Sequence, residues 1–329
     1  MDNRKWFKEA QYGMMIHFGL YSLLAGEYKG QRMGTTIGEW AQAYFRIPNK
    51  EYEKLATAFN PIYFNADEIV DLAIRSGMKY IIMTSKHHEG FALFHSEVDK
   101  FNVVDATPFK RDIILEMSEA CKKRNMPFGL YYSQALDWRE RNAGGWGKEC
   151  GLNVDNMPWG NTWDFPNHEG KDYHEVFERK IKPQVEEILT KYGPLCCIWF
   201  DTPLTMSKEE SIELYNMVKK YQPNCLINSR IGGEFVKCDY TSFGDNEIPQ
   251  EYKDKDYLFE TPATMNDTWG YKSYDQNWKS AEEIYRLKKH LNERNINYLL
   301  NIGPDHLGRV PEPAMKILLE VGELIKNKA

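Results

Sequence analysis

The sequence lacks long apolar segments and has few cysteines for its length. No stretch approaches the roughly 18 apolar residues that a membrane-spanning helix requires, so no membrane partner is expected. The N-terminus shows neither the apolar region nor the small-residue cleavage site of a signal peptide, which predicts a cytoplasmic location. The six cysteines among 329 residues are too sparse for a disulfide scaffold and form no CxxC metal pattern, so we expect reduced thiols.

An excess of positive charge is also missing. The formal net charge is -6, without a sustained Lys/Arg block, which argues against a nucleic acid as partner. Hydrophobic residues make up 42% and charged residues 27% of the chain, as in an ordinary globular protein. Aromatic residues are plentiful at 14%, with nine Trp and twenty Tyr. Because sugar C–H faces stack on aromatic rings, this surplus is compatible with carbohydrate binding.

Short apolar runs and amphipathic helical patterns alternate along nearly the whole chain. Strands separated by helices pair in parallel through crossover connections. About eight such units, without a GxGxxG or P-loop after the first strand, predict a single-domain (β/α)8 (TIM-like) barrel over residues 1–329. The stretch 144–167 has little periodicity and predicts a long loop after the third strand. The predicted strands are Met14–Phe18, Tyr80–Thr84, Pro127–Tyr132, Leu195–Phe200, Cys225–Asn228, Cys238–Ser242, Tyr257–Phe259 and Asn297–Asn301.

Polar residues follow most of the predicted strands. Since active sites of such barrels lie at the C-terminal ends of the strands, we expect these residues to converge on one rim. Asp201 is the strongest candidate, because it follows the apolar run LCCIWF and Thr202-Pro203 separates it from the next helical pattern, which argues against a helix cap. A second carboxyl, from Glu260 or Glu247, would complete the pair that glycosidic cleavage requires.

The histidines leave a second chemistry open. His17, His87 and His88 could bind a divalent metal together with Asp201, as in amidohydrolase-type barrels. The first strand has no HxH motif, which makes this alternative weaker than glycosidic chemistry.

Several motifs along the chain together carry a specific resemblance. They are Trp6-Phe7 with YGMMIHFGLYS, GEW at 38–40, SKHHEGFALFHS at 85–96, GLYYS at 129–133, IWFD at 198–201, ETPATMNDTWGYK at 260–272 and LLNIGPDHLGRVP at 299–311. In these motifs, their order and their spacing, the sequence resembles the α-L-fucosidases of glycoside hydrolase family twenty-nine over essentially the whole barrel.

The resemblance implies a retaining exo-glycosidase that removes terminal α-L-fucosyl residues from oligosaccharides or glycoconjugates, with Asp201 as nucleophile and without a metal or other cofactor. It does not fix the general acid/base, because this position varies between branches of the family. We prefer Glu260, at the start of ETPATMNDTWGYK, over Glu247, with Asp245 third. Trp199 and Trp269 would line the pocket. The implied contacts to the fucose hydroxyls are His17, Glu39, Trp40, His87, His88, Tyr132 and Arg230.

Two departures from the family pattern qualify these expectations. Thr202-Pro203 follows the expected nucleophile where many relatives have small residues, which puts the shape of the site floor in doubt. The chain also ends after the eighth unit, without the C-terminal β-sandwich that many relatives carry. Two other functions stay open: a glycosidase for a fucose-like sugar such as L-galactose, and a non-catalytic sugar-binding barrel. A homo-oligomer is compatible with the sequence.

Overall fold

The computed structural model describes residues 3–34, 37–147, 150–153, 156–232, 236–250 and 257–328. Eight parallel strands form one sheet with the order β5-β4-β3-β2-β1-β8-β7-β6. The strands are β1 (Tyr12–Ile16), β2 (Ile81–Lys86), β3 (Phe128–Ser133), β4 (Cys197–Asp201), β5 (Leu226–Ile227), β6 (Thr241–Ser242), β7 (Phe259–Thr264) and β8 (Ile296–Ile302).

The two outermost strands of this sheet meet, so the sheet curls into a barrel. Asn228, which follows β5, forms a parallel bridge with Tyr240, which precedes β6. The backbone N–H of Asp239 also donates to the carbonyl of Ile227 at 2.8 Å. These contacts confirm the predicted (β/α)8 barrel.

Long helices follow six of the strands and cover the outside of the barrel. Side chains that accept from backbone N–H groups of the first turn start five of them: Asn65, Asp112, Asp172, Ser207 and Ser280. The long helices are Ala66–Arg75, Ile113–Lys123, Tyr173–Val176 continued through Phe177–Ile181 into Lys182–Lys191, Lys208–Tyr221, Ala281–Asn292 and Glu312–Lys328. Shorter segments are Asn3–Ala10, Tyr21–Leu24, Gly38–Trp40, Ala41–Tyr44, Asn49–Tyr52, Glu53–Ala58 and Ser229–Ile231, with a hairpin of Glu27–Tyr28 and Gln31–Arg32.

The N-terminal helix closes one end of the barrel. Phe7 is fully buried, and its ring lies 5.8 Å from that of Tyr80 and 4.6 Å from that of Tyr240. Both tyrosines precede strands, at the N-terminal ends of β2 and β6. The C-terminal ends of the strands therefore form the open side of the barrel.

The seventh strand differs from its prediction. We expected Tyr257–Phe259 with Glu260 at the strand end, whereas β7 runs from Phe259 to Thr264 through Pro262. The Pro262 carbonyl accepts from the Asn246 N–H, on the side where β6 has already ended. A proline there costs the sheet no ladder hydrogen bond, so the strand continues past it.

The long loop after the third strand is confirmed: between β3 and Tyr173 the described residues form turns and an isolated bridge between Leu152 and Pro158. No helix among the described residues has both the length and the apolar character that crossing a membrane requires.

Candidate active site

A cavity with a volume of about 250 Å³ opens at the C-terminal ends of the strands. It is large enough for one sugar ring. The structure brings together in it most of the residues singled out from the sequence. Its lining consists of Met15, His17, Ile37, Glu39, Trp40, His87, His88, Tyr131, Asn153, Trp159, Trp199, Asp201, Thr202, Arg230, Asp245 and Trp269.

Asp201 ends β4 and presents its carboxylate to the cavity with an exposed fraction of only 9%. Oδ2 accepts from the Tyr131 hydroxyl at 2.9 Å, and Oδ1 accepts from Arg230 Nη1 at 3.1 Å. Its backbone N–H donates to Gln134 Oε1 at 2.8 Å. The following helix is capped by Ser207 instead. Asp201 is therefore an ionisable group that Tyr131 and Arg230 hold in place. Its carboxylate faces the cavity, and it does not cap the following helix.

Arg230 connects Asp201 to a second carboxylate. Its Nη2 donates to Asp245 Oδ1 at 2.6 Å, and its guanidinium lies over the Trp199 ring, 4.6 Å from the ring centroid. The two aspartates are thus separated by little more than the width of one guanidinium group. Asp245 lies at the rim of the cavity, with 46% of its side chain exposed, whereas Asp201 lies deeper.

Three histidines line the cavity as neutral groups. Burial lowers the pKa of His17 to about 4 and holds the pKa values of His87 and His88 well below the ordinary range. The Asn301 amide donates to the Trp269 carbonyl at 2.8 Å, so its oxygen accepts from His17 Nδ1 at 2.7 Å. Nε2 of His17 is consequently an acceptor.

The tautomer of His88 follows in the same way. The Ser133 hydroxyl donates to the Leu136 carbonyl at 2.9 Å, so His88 Nδ1 donates to the Ser133 oxygen at 2.7 Å. Its Nε2, 3.9 Å from Asp201 Oδ2, can accept from a ligand hydroxyl. Within the described part of the chain, Nδ1 of His87 is buried without a hydrogen-bond partner.

Glu39 reaches the cavity from the turn Gly38–Trp40. Its Oε2 accepts from the Gly270 N–H at 2.7 Å, and only 2% of the residue is exposed. Burial raises the pKa of this carboxyl to about 8. A side chain at Gly38 would lie 2.9 Å from the Gly270 carbonyl oxygen, which explains the glycine that begins the GEW motif.

The prediction that Tyr132 lies in the site is wrong. Consecutive residues of a strand point to opposite faces, and the Tyr132 hydroxyl donates to Gln184 at 2.8 Å outside the barrel. Tyr131 points inward instead. Its ring stacks on Trp199, with 5.5 Å between centroids, and on His87, with 5.3 Å.

Neither glutamate proposed as second carboxyl lines the cavity. Glu260 is fully buried inside the barrel beneath Trp199, because it is the second residue of β7 and not the residue after the strand. Glu247 lies in an exposed loop, where its carboxylate accepts from the Gly244 N–H at 2.7 Å. Asp245, third in our sequence-based order, is the one that reaches the site.

The sequence reasoning also missed Asn153, Trp159 and Thr202 in the lining. The first two come from the long loop after β3, whose path no local pattern predicts. Thr202 adopts φ +50°, a left-handed conformation that is rare and strained for a β-branched residue. This strain directly follows Asp201.

The metal alternative gains no support. Among the described residues, no three His, Cys, Asp or Glu side chains are grouped so as to bind a metal ion.

The (β/α)8 barrel holds a site with two carboxylates and room for one sugar ring, which is the arrangement found in glycoside hydrolases. The family model for alpha-L-fucosidase matches residues 1–329, so the chain belongs to the alpha-L-fucosidase family of glycoside hydrolases.

Solved structures agree with this assignment. Alpha-L-fucosidase AlfC from Lactobacillus casei, in complex with alpha-L-fucose product, is 51% identical with a TM-score of 0.94; the match covers 100% of this chain and 99% of that chain. An alpha-L-fucosidase from Vibrio sp. strain EJY3 is 37% identical with a TM-score of 0.90, over 98% of this chain and 55% of that one.

Curated relatives are more distant. Tissue alpha-L-fucosidase from Rattus norvegicus is 26% identical over 99% of this chain and 69% of the relative. Alpha-L-fucosidase from Dictyostelium discoideum is 25% identical over 96% of this chain and 68% of the relative. The chain therefore spans about two thirds of the length of the curated relatives it matches.

Proposed function

We propose that the protein is a retaining exo-glycosidase that hydrolyses terminal α-L-fucosyl residues through a covalent glycosyl-enzyme on Asp201. Membership of the family supports the reaction, and the similar AlfC enzyme has been solved with α-L-fucose. The observation that carries the mechanism is the pair of aspartates, Asp201 in the cavity and Asp245 at its rim, held by one arginine.

Asp201 is the proposed nucleophile because it is the deep carboxylate with fixed donors. Tyr131 and Arg230 hold its two oxygens, so the group is oriented before the substrate binds. Attack on the anomeric carbon forms the glycosyl-enzyme. The negative charge of Asp201 also stabilises the oxocarbenium-like transition state before the new bond is complete.

Asp245 replaces Glu260 as the proposed acid/base. In an exo-glycosidase the leaving group extends from the cavity toward solvent, so the group that protonates it must lie at the rim. Asp245 meets this condition, whereas Glu260 has no access to the cavity and Glu39 is buried and bound to Gly270 N–H. After the leaving group departs, Asp245 accepts a proton from the water that hydrolyses the intermediate.

The remaining lining residues would bind the sugar. Neutral His17 and His88 offer Nε2 as acceptors for ring hydroxyls, and Glu39, protonated below pH about 8, can donate. Trp40 and Trp269 supply apolar walls for the ring face and the methyl group. No step of this mechanism needs a metal or organic cofactor.

Compounds bound in the structures of a relative supply test substrates with two different leaving groups. An AlfC variant with an aspartate replaced by alanine has been solved in complex with Fuca(1,6)GlcNAc, and another with 4-nitrophenyl-a-L-fucopyranoside. We propose fucosylated oligosaccharides or glycoconjugates as substrates of this protein and these two compounds as test substrates.

The test compares wild type, Asp201→Ala and Asp245→Ala on both compounds, with EDTA present. Wild type should hydrolyse both, Asp201→Ala neither, and Asp245→Ala should lose far more activity on the disaccharide, whose leaving group needs protonation. Asp239→Asn is a matched control, since Asp239 is as buried as Asp201 but pairs with Lys219 outside the cavity.

Product analysis with azide as an added nucleophile distinguishes the role of nucleophile from that of acid/base. With Asp201→Ala, azide should displace the leaving group directly and give the β-fucosyl azide. With Asp245→Ala, azide should attack the glycosyl-enzyme and give the α-fucosyl azide, as NMR of the products would show. The opposite pairing would reverse the assignments, and a wild type inactive on both compounds would contradict the proposed function.

A further inference from the structure

Glu260 is a fully buried carboxyl that the proposed mechanism does not use. Its Oε1 accepts from Trp199 Nε1 at 2.9 Å, and its Oε2 accepts from the Tyr80 hydroxyl at 2.8 Å. Burial raises the pKa of this carboxyl to about 7. A carboxyl inside an apolar barrel is unfavourable for folding unless its contacts compensate, so its presence calls for a reason.

Trp199, which Glu260 holds, contacts both donors of the Asp201 side chain. The Tyr131 ring stacks on the indole at an interplanar angle of 19°, and the Arg230 guanidinium lies over it. Tyr131 donates to Asp201 Oδ2 and Arg230 donates to Oδ1. The orientation of one indole ring therefore sets the positions of the two groups that orient the carboxylate.

We propose that Glu260 is a positioning residue, which fixes the Trp199 ring and through it the Tyr131 and Arg230 donors of Asp201. The inference rests on the proposed function of Asp201. The indole N–H lies inside the barrel, where water cannot replace a lost acceptor. Without Glu260 the ring tilts toward another acceptor, and both donors move with it.

Kinetics on two leaving groups distinguish positioning from acid catalysis. We expect Glu260→Leu to lower kcat by about 100-fold, the loss that a displacement of about 1 Å near the reacting atoms causes, with KM changed little. The loss should be the same for 4-nitrophenyl α-L-fucopyranoside and the α-1,6-linked disaccharide. A loss confined to the disaccharide would instead make Glu260 the acid and overturn the inference.

A double-mutant cycle tests the path through Trp199. Glu260→Leu should cost little further activity in a Trp199→Phe background, because the phenyl ring has no N–H to hold. Tyr80→Phe is the matched control: it removes the other hydrogen bond of Glu260 and should leave kcat within about threefold of wild type. Additive losses in the cycle would overturn the inference.

Glu260→Gln keeps the measurement decisive if the leucine variant does not fold. The amide oxygen can accept from Trp199 Nε1 while the amide NH2 donates to the Tyr80 oxygen, so this variant should keep native circular dichroism and most of the wild-type kcat. If the folded Glu260→Gln and Glu260→Ala variants were both fully active, the positioning role would be refuted. Turnover by wild type would in that case leave the proposed function intact. An inactive wild type would instead fail the proposed function.

Discussion

Replacement of Arg230 tests the arrangement of the two aspartates most directly. Its planar guanidinium donates to Asp201 and Asp245 at once, at 3.1 and 2.6 Å, whereas a lysine ammonium is a compact charge that would reach one of them. Arg230→Lys therefore removes about one charge-assisted hydrogen bond, worth about 1.5–3 kcal/mol. We expect kcat/KM to fall about 10- to 150-fold.

Arg230→Met removes both hydrogen bonds and the positive charge, and it leaves two neighbouring carboxylates without a partner. Breaking a buried charge pair by removing one member costs about 3–5 kcal/mol. With 22% of its side chain exposed, Arg230 is shielded enough for the lower part of that range to apply. The expected loss in kcat/KM is at least about 150-fold.

The assay is the initial rate of release of 4-nitrophenol from its α-L-fucopyranoside by the three proteins. Arg309→Lys serves as control, because Arg309 pairs with Asp305 with 55% of its side chain exposed and lies outside the cavity lining. It should change kcat/KM by no more than about twofold. Equal losses for the lysine and methionine variants, or full activity of Arg230→Lys, would refute the two-carboxylate geometry.

Three further changes test stability by urea unfolding. Burial raises the pKa of Glu89 to about 8, so the folded protein keeps a proton that the unfolded chain loses near pH 4.5. The free energy of unfolding therefore falls as the pH rises from about 4.5 to about 8. Glu89→Gln should reduce this dependence of the unfolding free energy on pH by up to about 1.4 kcal/mol per pH unit, and an unchanged dependence would contradict the pKa shift. Lys180→Met should cost about 3–5 kcal/mol, because Nζ lies 2.9 Å from the buried Asp137 carboxylate, and a neutral effect would show that the pair is dispensable. Phe7→Ala should cost about 3–5 kcal/mol by emptying the barrel end beside Tyr240; a loss below about 1 kcal/mol would mean that the N-terminal helix is not part of the folded core.

Much of the fold could be predicted because the barrel strands are apolar runs separated by helices with strong local start signals. Ser207 and Ser280 are examples, each accepting from a backbone N–H of the first turn. The seventh strand could not, because Pro262 is a strand breaker unless the neighbouring strand has ended. That condition is a property of β6, not of the local sequence.

The candidate site was predictable where a residue ends its strand or follows it directly. Asp201 is such a residue. Tyr131 and Tyr132 were not distinguishable, because strands of a barrel are buried on both faces and carry no alternation that separates inside from outside. Asp245 depends on a loop path after β6 and on its contact with Arg230, neither of which has a local signal. The cytoplasmic location and a homo-oligomer stay predictions from the sequence.

Fewer lining residues carry a charge than the number of titratable side chains in the cavity suggests, and this charge distribution suits the proposed reaction. At neutral pH the histidines carry no charge, since burial lowers the pKa of His17 to about 4, and Glu39 keeps its proton because its pKa is raised to about 8. The lining therefore combines the Asp201–Arg230–Asp245 group with histidines that carry no charge. In the proposed mechanism the Asp201 carboxylate faces a glycosyl centre that becomes cationic in the transition state. A charged His17 or His88 would oppose that centre, so the burial that keeps these rings neutral serves the same step as the carboxylate.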